Sequence, residues 1–264
     1  GERVYVCRRT RIDTKRFQMP IKQKTIYLSI LNQGEIRTDL AQVINLIIQN
    51  DSYRIYLTYP AGKPITNNRN TIVQKFLATD CDYLMMIDSD IVPPPNILNL
   101  VDFNVDIITP LMFVKQKGML IPLFLKRDKD GLYDAADYLN LTGLQEVSAT
   151  GTGCIVIKRE VLENIKHPFE NRYDEDGIKT LGNDFAFCQM AKEKGYKIWV
   201  HLDYVAGHHS VQDLKDEFYN DLQKYKAEKE LFEMKKIMQN EKPVYFDRLM
   251  REVKEKSLLK IGNE

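Results

Sequence analysis

From residue 25 onward, short apolar runs alternate with stretches in which apolar residues return every three or four positions. The runs TIYLSIL (25–31), YRIYLTY (53–59) and DYLMMI (82–87) predict strands. RTDLAQVINLIIQ (37–49) sets Leu40, Val43, Ile44, Ile47 and Ile48 at helical spacing. NNRNTIVQKFLA (67–78) and NILNLVD (96–102) predict two further helices, the last entered through prolines, and VDIIT (105–109) closes this half. Strands alternating with helices of about a dozen residues argue for an α/β fold, a parallel sheet with helices on both faces.

The character changes after residue 110. MLIPLFLKRDKDGLYDA (119–135) and LQEVSATGTGCIVIKREVLENI (144–165) hold strand-like runs separated by glycine-containing turns, which predicts an antiparallel or mixed addition to the sheet. LGNDFAFCQMAKEKGYKIWV (181–200) predicts a helix from about Asn183 that stops near Gly195 and leads into a short strand. From Val211 the chain is charged and helical, with Leu214, Phe218, Leu222 and Tyr225 at helical spacing, a pattern suited to packing on the domain or on a partner. The expected division is a basic N-terminal arm over 1–24, an α/β domain over 25–210 and a helical C-terminal extension over 211–264.

Composition narrows the function classes. The chain has 264 residues, 44% of them apolar, enough for a substantial core. Its formal net charge of +1 gives no global field to attract nucleic acid or an anionic membrane. The first 26 residues are locally basic, through Arg3, Arg8, Arg9, Arg11, Lys15, Arg16, Lys22 and Lys24, and read either as a solvated arm or as a phosphate-binding one. Cys7, Cys81, Cys154 and Cys188 are too scattered for a zinc spacing and are expected to be reduced, in a cytoplasmic protein. No stretch reaches the roughly 18 consecutive apolar residues that span a bilayer.

The segment YLMMIDSDIVPPP (83–95) carries the candidate chemistry. In an open parallel sheet, ligands bind beyond the carboxyl ends of the strands, where Asp88 and Asp90 are expected to lie. Two carboxylates so close repel one another unless a cation neutralises them, and Mg²⁺ or Mn²⁺ is the simplest tenant. The competing reading makes Asp90 a helix cap.

Five segments together give a family resemblance: NNRN (67–70), CDYLMMIDSDIVPPPNIL (81–98), GTGCIVIKREVLENI (151–165), GNDFAFCQMAKEKGYKIWV (182–200) and VAGHHS (205–210). In this order the chain resembles the GT-A fold glycosyltransferases of the broad family-2-like kind, over roughly residues 25 to 210. The resemblance implies a mixed, mainly parallel Rossmann-like sheet and a nucleotide-sugar donor, UDP- or GDP-linked. It implies that Asp90 ligates Mn²⁺ or Mg²⁺ and that Asp88 touches the ribose or shares the coordination. His208 matches the family's Gly-His after the last strand and is the expected further ligand, with His209 as its possible substitute. Arg69 is expected to bind the donor's phosphate or to lock the acidic pair, its alternative being a helix-surface arginine. Asn70, with Asn67 and Asn68, helps position the nucleotide or caps the helix. Gly153 lies in ATGTGC, whose small residues let the backbone approach a sugar.

Asp184 falls where the family carries the base that deprotonates the acceptor in an inverting transfer, or else caps its helix. Asn183 departs from the pattern, since a carboxylate is usual there. The acceptor hydroxyl, on a glycan, small molecule, lipid-linked sugar or nucleic acid, is not specified, and self-association through the C-terminal helices is a further expectation.

Other readings compete. The haloacid-dehalogenase phosphotransferases also end an apolar strand in Asp-X-Asp, but on their first strand and followed by Thr or Val, whereas Ile91 follows here. A nucleotidyltransferase of related fold needs a glycine- and lysine-rich loop after the first strand, and LNQGEIRTD (31–39) has one glycine and no lysine. A non-catalytic nucleotide- or carbohydrate-binding protein could use the same fold.

Overall fold

The computed structural model describes residues 5–6, 23–61, 64–116, 119–127, 133–134, 141–209 and 225–234. Most of the basic arm, Cys7 and the tail residues Leu214, Phe218 and Leu222 lie outside the described residues. The chain divides into two compact units, Gly1–Lys215 and Asp216–Glu264. Within the second, residues 225–234 are helical.

The first unit is built on one eight-stranded sheet. Its spatial order is Tyr5–Val6, Arg54–Thr58, Thr25–Leu31, Tyr83–Asp88, Cys154–Lys158, Ile107–Leu111, Ile198–Val205, Leu144–Val147. Arg54–Thr58, Thr25–Leu31 and Tyr83–Asp88 run parallel to one another, as do Ile107–Leu111 and Ile198–Val205. Both sets share one direction, because Cys154–Lys158 is antiparallel to each of the strands it separates. Five of the eight strands therefore point the same way, and the fold is α/β with a mixed, mainly parallel sheet. Thr25–Leu31 is buried along its whole length, and Tyr83–Asp88 as far as Ile87, because helices and loops cover both faces.

Among the described residues of this unit are four α-helices: α1 (Thr38–Ile48), α2 (Ile65–Leu77), α3 (Arg159–Glu163) and α4 (Asn183–Glu193). Helix α1 buries Leu40, Ile44 and Ile47, the face its spacing predicts. Helix α2 buries Ile72, Val73 and Phe76, and with them the polar Asn68 and Arg69. It starts two residues earlier than expected, so Asn67 and Asn68 sit inside the helix and do not cap it. Helix α4 ends before Gly195, whose φ of +87° is a conformation that favours glycine.

Three local expectations are corrected. Ile97–Phe103 is a 3-10 helix, a short turn of the kind used as a connector, burying Ile97, Leu98, Leu100 and Val101. The strand after α4 is long, Ile198–Val205, and lies inside the sheet. The antiparallel addition takes two places: Leu144–Val147 lies at the sheet edge beside Ile198–Val205, and Cys154–Lys158 is inserted between two strands of the parallel set, with Cys154 opposite Ile87. That insertion delivers the GTG segment, residues 151–153, to the carboxyl end of Tyr83–Asp88.

Cys81, Cys154 and Cys188 are free, buried thiols. Burial raises the pKa of each, so they behave as small apolar side chains. Among the described residues no helix is long and apolar enough to cross a membrane.

Candidate active site

Asp88 is the last residue of its strand. The chain then turns through Ser89 and Asp90 into the two-residue strand Ile91–Val92, which pairs antiparallel with Gly207–His208. This ribbon sets His208 opposite Ile91 and brings its Nε2 to 3.5 Å from Asp90 Oδ2. Its other ring nitrogen, Nδ1, donates to the Phe113 carbonyl at 2.6 Å, which fixes the ring. The backbone N–H of His209 donates to the Asp90 carbonyl at 2.8 Å. The His209 ring turns elsewhere, to Asp39 at 3.2 Å. Of the two histidines, His208 is the one beside the acidic pair.

The second half of the site is organised by Arg69, which is only 3% exposed. Its Nη2 donates to Asp88 Oδ2 at 2.7 Å, and its Nη1 to Asn183 Oδ1 and to Asp184 Oδ1, each at 2.7 Å. The guanidinium therefore joins the end of the Tyr83–Asp88 strand to the first turn of α4, where Asp184 lies 115 residues from Arg69 in sequence. Asn183 accepts from it without adding a further negative charge around a single arginine, which accounts physically for an amide where a carboxylate was expected. The surface-arginine reading of Arg69 does not hold, because the side chain is buried and triply engaged. The cap reading of Asp184 does not hold either: the N-cap of α4 is Gly182, with no side-chain capping bond, and the Asp184 carboxylate accepts from Arg69 and from Thr152.

Thr152 escaped the sequence reading. It is fully buried, and its hydroxyl donates to Asp184 Oδ1 at 2.7 Å. It sits between two glycines where a side chain would be tight: a Cβ on Gly151 would meet Leu123 Cδ1 at 3.3 Å, and one on Gly153 would meet Ile91 Cγ1 at 3.1 Å and Asp88 Oδ2 at 3.5 Å. The Gly153 carbonyl accepts the Asp88 N–H at 2.8 Å. Gly153 thus holds Asp88 through its backbone. The signal in the sequence is limited to a lone polar side chain between two glycines.

Asn70 has a different task from the expected one. Its amide donates to the Phe169 carbonyl at 3.1 Å and accepts the Phe169 N–H at 3.0 Å. Both ends of the amide are thereby committed to fastening a loop, and Asn70 is a structural staple.

Electrostatics separates the acidic residues. Burial pushes the Asp88 carboxyl up to about 7; Asp90 and Asp184 add to the rise and Arg69 opposes it. Asp90 goes the other way, held below the usual carboxylate range chiefly by its hydrogen bond with His208, whose own pKa is raised by the same contact. Asp88 Oδ1 and Arg69 Nε are buried without a hydrogen-bond partner. Such orphaned polar atoms are uncommon in a folded core and mark a site arranged for something else.

Among the described residues no group of three or more His, Cys, Asp or Glu side chains is gathered closely enough to hold a metal ion. The donor types nonetheless suit Mn²⁺ or Mg²⁺. Asp90 and His208 are adjacent, the Nδ1 contact orients the imidazole in the manner common for metal-ligating histidines, and Asp88 contributes an unpartnered oxygen. Among the described residues, two cavities lie elsewhere on the surface. One of about 520 Å³ is lined by Leu125, Ala149, Leu181, Phe185, Gln189, Lys192 and Glu193, and one of about 540 Å³ by Ile36, Arg37, Thr38, Asp39 and Gln42. Neither is lined by the site carboxylates, so the site is identified by its converging side chains.

No family model matches the chain, and no curated protein matches its sequence. Among solved structures it is similar to A197 from STIV, at 21% identity and a TM-score of 0.48 over 71% of this chain and 86% of that one. It is also similar to GalNAc-T7, solved with UDP, GalNAc and Mn²⁺, at 13% identity and a TM-score of 0.47 over 71% of this chain and 44% of that one. The chain spans under half the length of the GalNAc-T7 structure. At these scores the likeness stands as an observation, and function has to be argued from the side chains.

Proposed function

We propose that this chain is a metal-dependent glycosyltransferase that moves a sugar from a UDP- or GDP-linked donor to an acceptor hydroxyl. The observation that carries the reading is the convergence on one buried guanidinium of Asp88, at the carboxyl end of a central strand, and Asp184, at the head of α4, with the Asp90–His208 pair alongside.

Asp90 and His208, the adjacent pair, would hold Mn²⁺ or Mg²⁺ together with the donor's phosphates, with Asp88 touching the donor's ribose or joining the coordination once the donor is bound, and the ion would supply charge stabilisation to the departing nucleoside diphosphate. Arg69 is buried and directs its three hydrogen bonds to Asp88, Asn183 and Asp184, so its part is to lock the acidic residues. Gly153 leaves the space beside Asp88 that a side chain would fill. Asp184 is the base: among the described residues Oδ1 carries its hydrogen bonds, and Oδ2 is left to face a substrate. As the acceptor oxygen attacks the sugar's anomeric carbon, its proton passes to Asp184 Oδ2, and the bond to phosphate breaks with its electron pair leaving on the diphosphate.

The test is a screen of UDP- and GDP-sugars by thermal shift with and without Mn²⁺, followed by assay for nucleoside diphosphate release and analysis of the product's anomeric configuration. A donor at a hundredfold over its dissociation constant adds about 2.7 kcal/mol of stability. Stabilisation by a donor only with metal, and an inverted product, support the reading. No stabilisation by any sugar nucleotide contradicts it, and a retained configuration removes the base role of Asp184.

A further inference from the structure

Two separate bridges connect Asp88 to Asp184. One is Arg69, which reaches both carboxylates at 2.7 Å. The other is the backbone step from Gly153 to Thr152: the Gly153 carbonyl accepts the Asp88 N–H at 2.8 Å, and the neighbouring Thr152 hydroxyl donates to Asp184 at 2.7 Å. The step is closely packed. Gly151 lies against Leu123 and Gly153 against Ile91, each in a tight fit for a Cβ, and Thr152 between them is fully buried. The segment is also tied to α4, since Thr150 and Cys188 exchange contacts through the Thr150 N–H and carbonyl, both at 3.5 Å.

Both bridges end on the same oxygen, Asp184 Oδ1. A carboxylate gripped twice through one oxygen cannot rotate freely, and its second oxygen is aimed by the grip. A buried hydroxyl placed to do this alone would be an expensive way to hold a helix end, because α4 is already capped at Gly182, whose carbonyl accepts the Ala186 N–H.

We propose that Thr152 is a positioning residue for Asp184: its hydroxyl, acting with Arg69, fixes Oδ1 and so sets Oδ2 at a defined distance from Asp88 and the donor bound there. The proposal rests on the reading of Asp184 as the base. Thr152 touches no substrate and takes no proton; it acts on turnover through the geometry of Asp184, and donor binding at Asp88 and Asp90 does not need it.

The experiment compares wild type, Thr152→Val, Thr152→Ser, Asp184→Asn and the Thr152→Val/Asp184→Asn double variant in Mn²⁺. Turnover is read as UDP or GDP release from the sugar nucleotides used in the screen, and UDP or GDP affinity and melting temperature are measured on each protein. Thr152→Val keeps the shape and removes the hydroxyl; it is expected to lower kcat roughly 10- to 100-fold at unchanged nucleotide affinity. Thr152→Ser restores the hydroxyl and recovers most of the rate. The double variant is expected to be no slower than Asp184→Asn, because the hydroxyl acts through that carboxylate. If Thr152→Val proves unfolded at the assay temperature, Thr152→Ala replaces it in the same comparison. A Thr152→Val rate equal to wild type, a Thr152→Ser variant as slow as Thr152→Val, or a full additional loss in the double variant overturns the positioning role while leaving the base intact. An Asp184→Asn variant as fast as wild type, or a wild-type protein that turns over none of these donors, overturns the underlying reading and the positioning role with it.

Discussion

Asp88 and Asp90 are one residue apart and stand in opposite surroundings. Asp88 is mostly buried at the end of the sheet, tied to Arg69, carries one buried, unpartnered oxygen, and has its carboxyl raised by burial to about 7. Asp90 has about half its side chain exposed, pairs with His208, and is held in its charged form. The difference teaches that a short acidic motif need not act as one unit. The buried member is built into the scaffold that links strand and helix, and the exposed member is free to meet a ligand. Pairs of carboxylates pushed apart by their environments are a usual way of dividing roles within a site.

The largest expected effect lies at the far end of the buried cluster. Asp184→Asn keeps size and one accepting oxygen and removes basicity, so turnover should fall by roughly 10²–10⁴ while UDP or GDP affinity is retained. Kinetics with calorimetry on the same protein checks it, and a parallel loss of affinity would mean that the two ends of the site are not separable. Next, Arg69→Met leaves Asp88 and Asp184 without their shared cation. Breaking a buried pair costs about 3–5 kcal/mol, and the lower end applies here because Asp184 keeps access to solvent. A melting temperature lower by roughly 6–12 °C is expected for a domain of this size. A melt unchanged from wild type would show that the buried cluster is not the scaffold it is taken to be.

These long-range ties are what the sequence concealed. Between residues 25 and 88 each strand or helix is announced by its own apolar spacing, and the observed Thr25–Leu31, Thr38–Ile48, Arg54–Thr58 and Tyr83–Asp88 agree with the expected runs to within about one residue at each end. Their order also implies the parallel pairing. The insertion of Cys154–Lys158 between two strands of that set has no local signature, because strand order is decided by crossovers and not by periodicity. The meeting of Arg69 with Asp184 follows from that insertion, and so does the placement of Thr152. Asn70 looked like a ligand group because an amide at a helix start is chemically versatile; only the Phe169 loop, 99 residues away, reveals its partner.

Smaller perturbations sharpen the contrast. Gly153→Ala places a Cβ 3.1 Å from the buried Ile91 and 3.5 Å from Asp88 Oδ2, so it should cost about 1–3 kcal/mol by overpacking, visible as a lower denaturation midpoint. A midpoint equal to that of wild type would mean that Ile91 yields and the glycine is not required. The smallest effect is expected outside the site, at His201, whose ring lies 4.6 Å from Phe103 and 4.7 Å from Tyr204. Burial lowers its pKa, with Asp203 opposing, so the unfolded chain takes up this proton first as the pH falls. The stability it contributes is present above pH 6.5 and is lost as the pH drops through the lowered folded value. Replacing His201 with Phe should flatten the stability profile below pH 6.5, and an identical acid slope in both proteins would contradict this.

The account stands on Asp90 meeting a metal-bound donor from the exposed side of the acidic pair. The most direct test is titration of the wild-type protein and the Asp90→Asn variant with the stabilising sugar nucleotide, each with Mn²⁺ and with a chelator. The account predicts tight binding for wild type in Mn²⁺, weak binding for wild type in chelator, and weak binding for Asp90→Asn in both, with the melting temperature of the unliganded variant unchanged. Undiminished, Mn²⁺-dependent affinity in Asp90→Asn would contradict it.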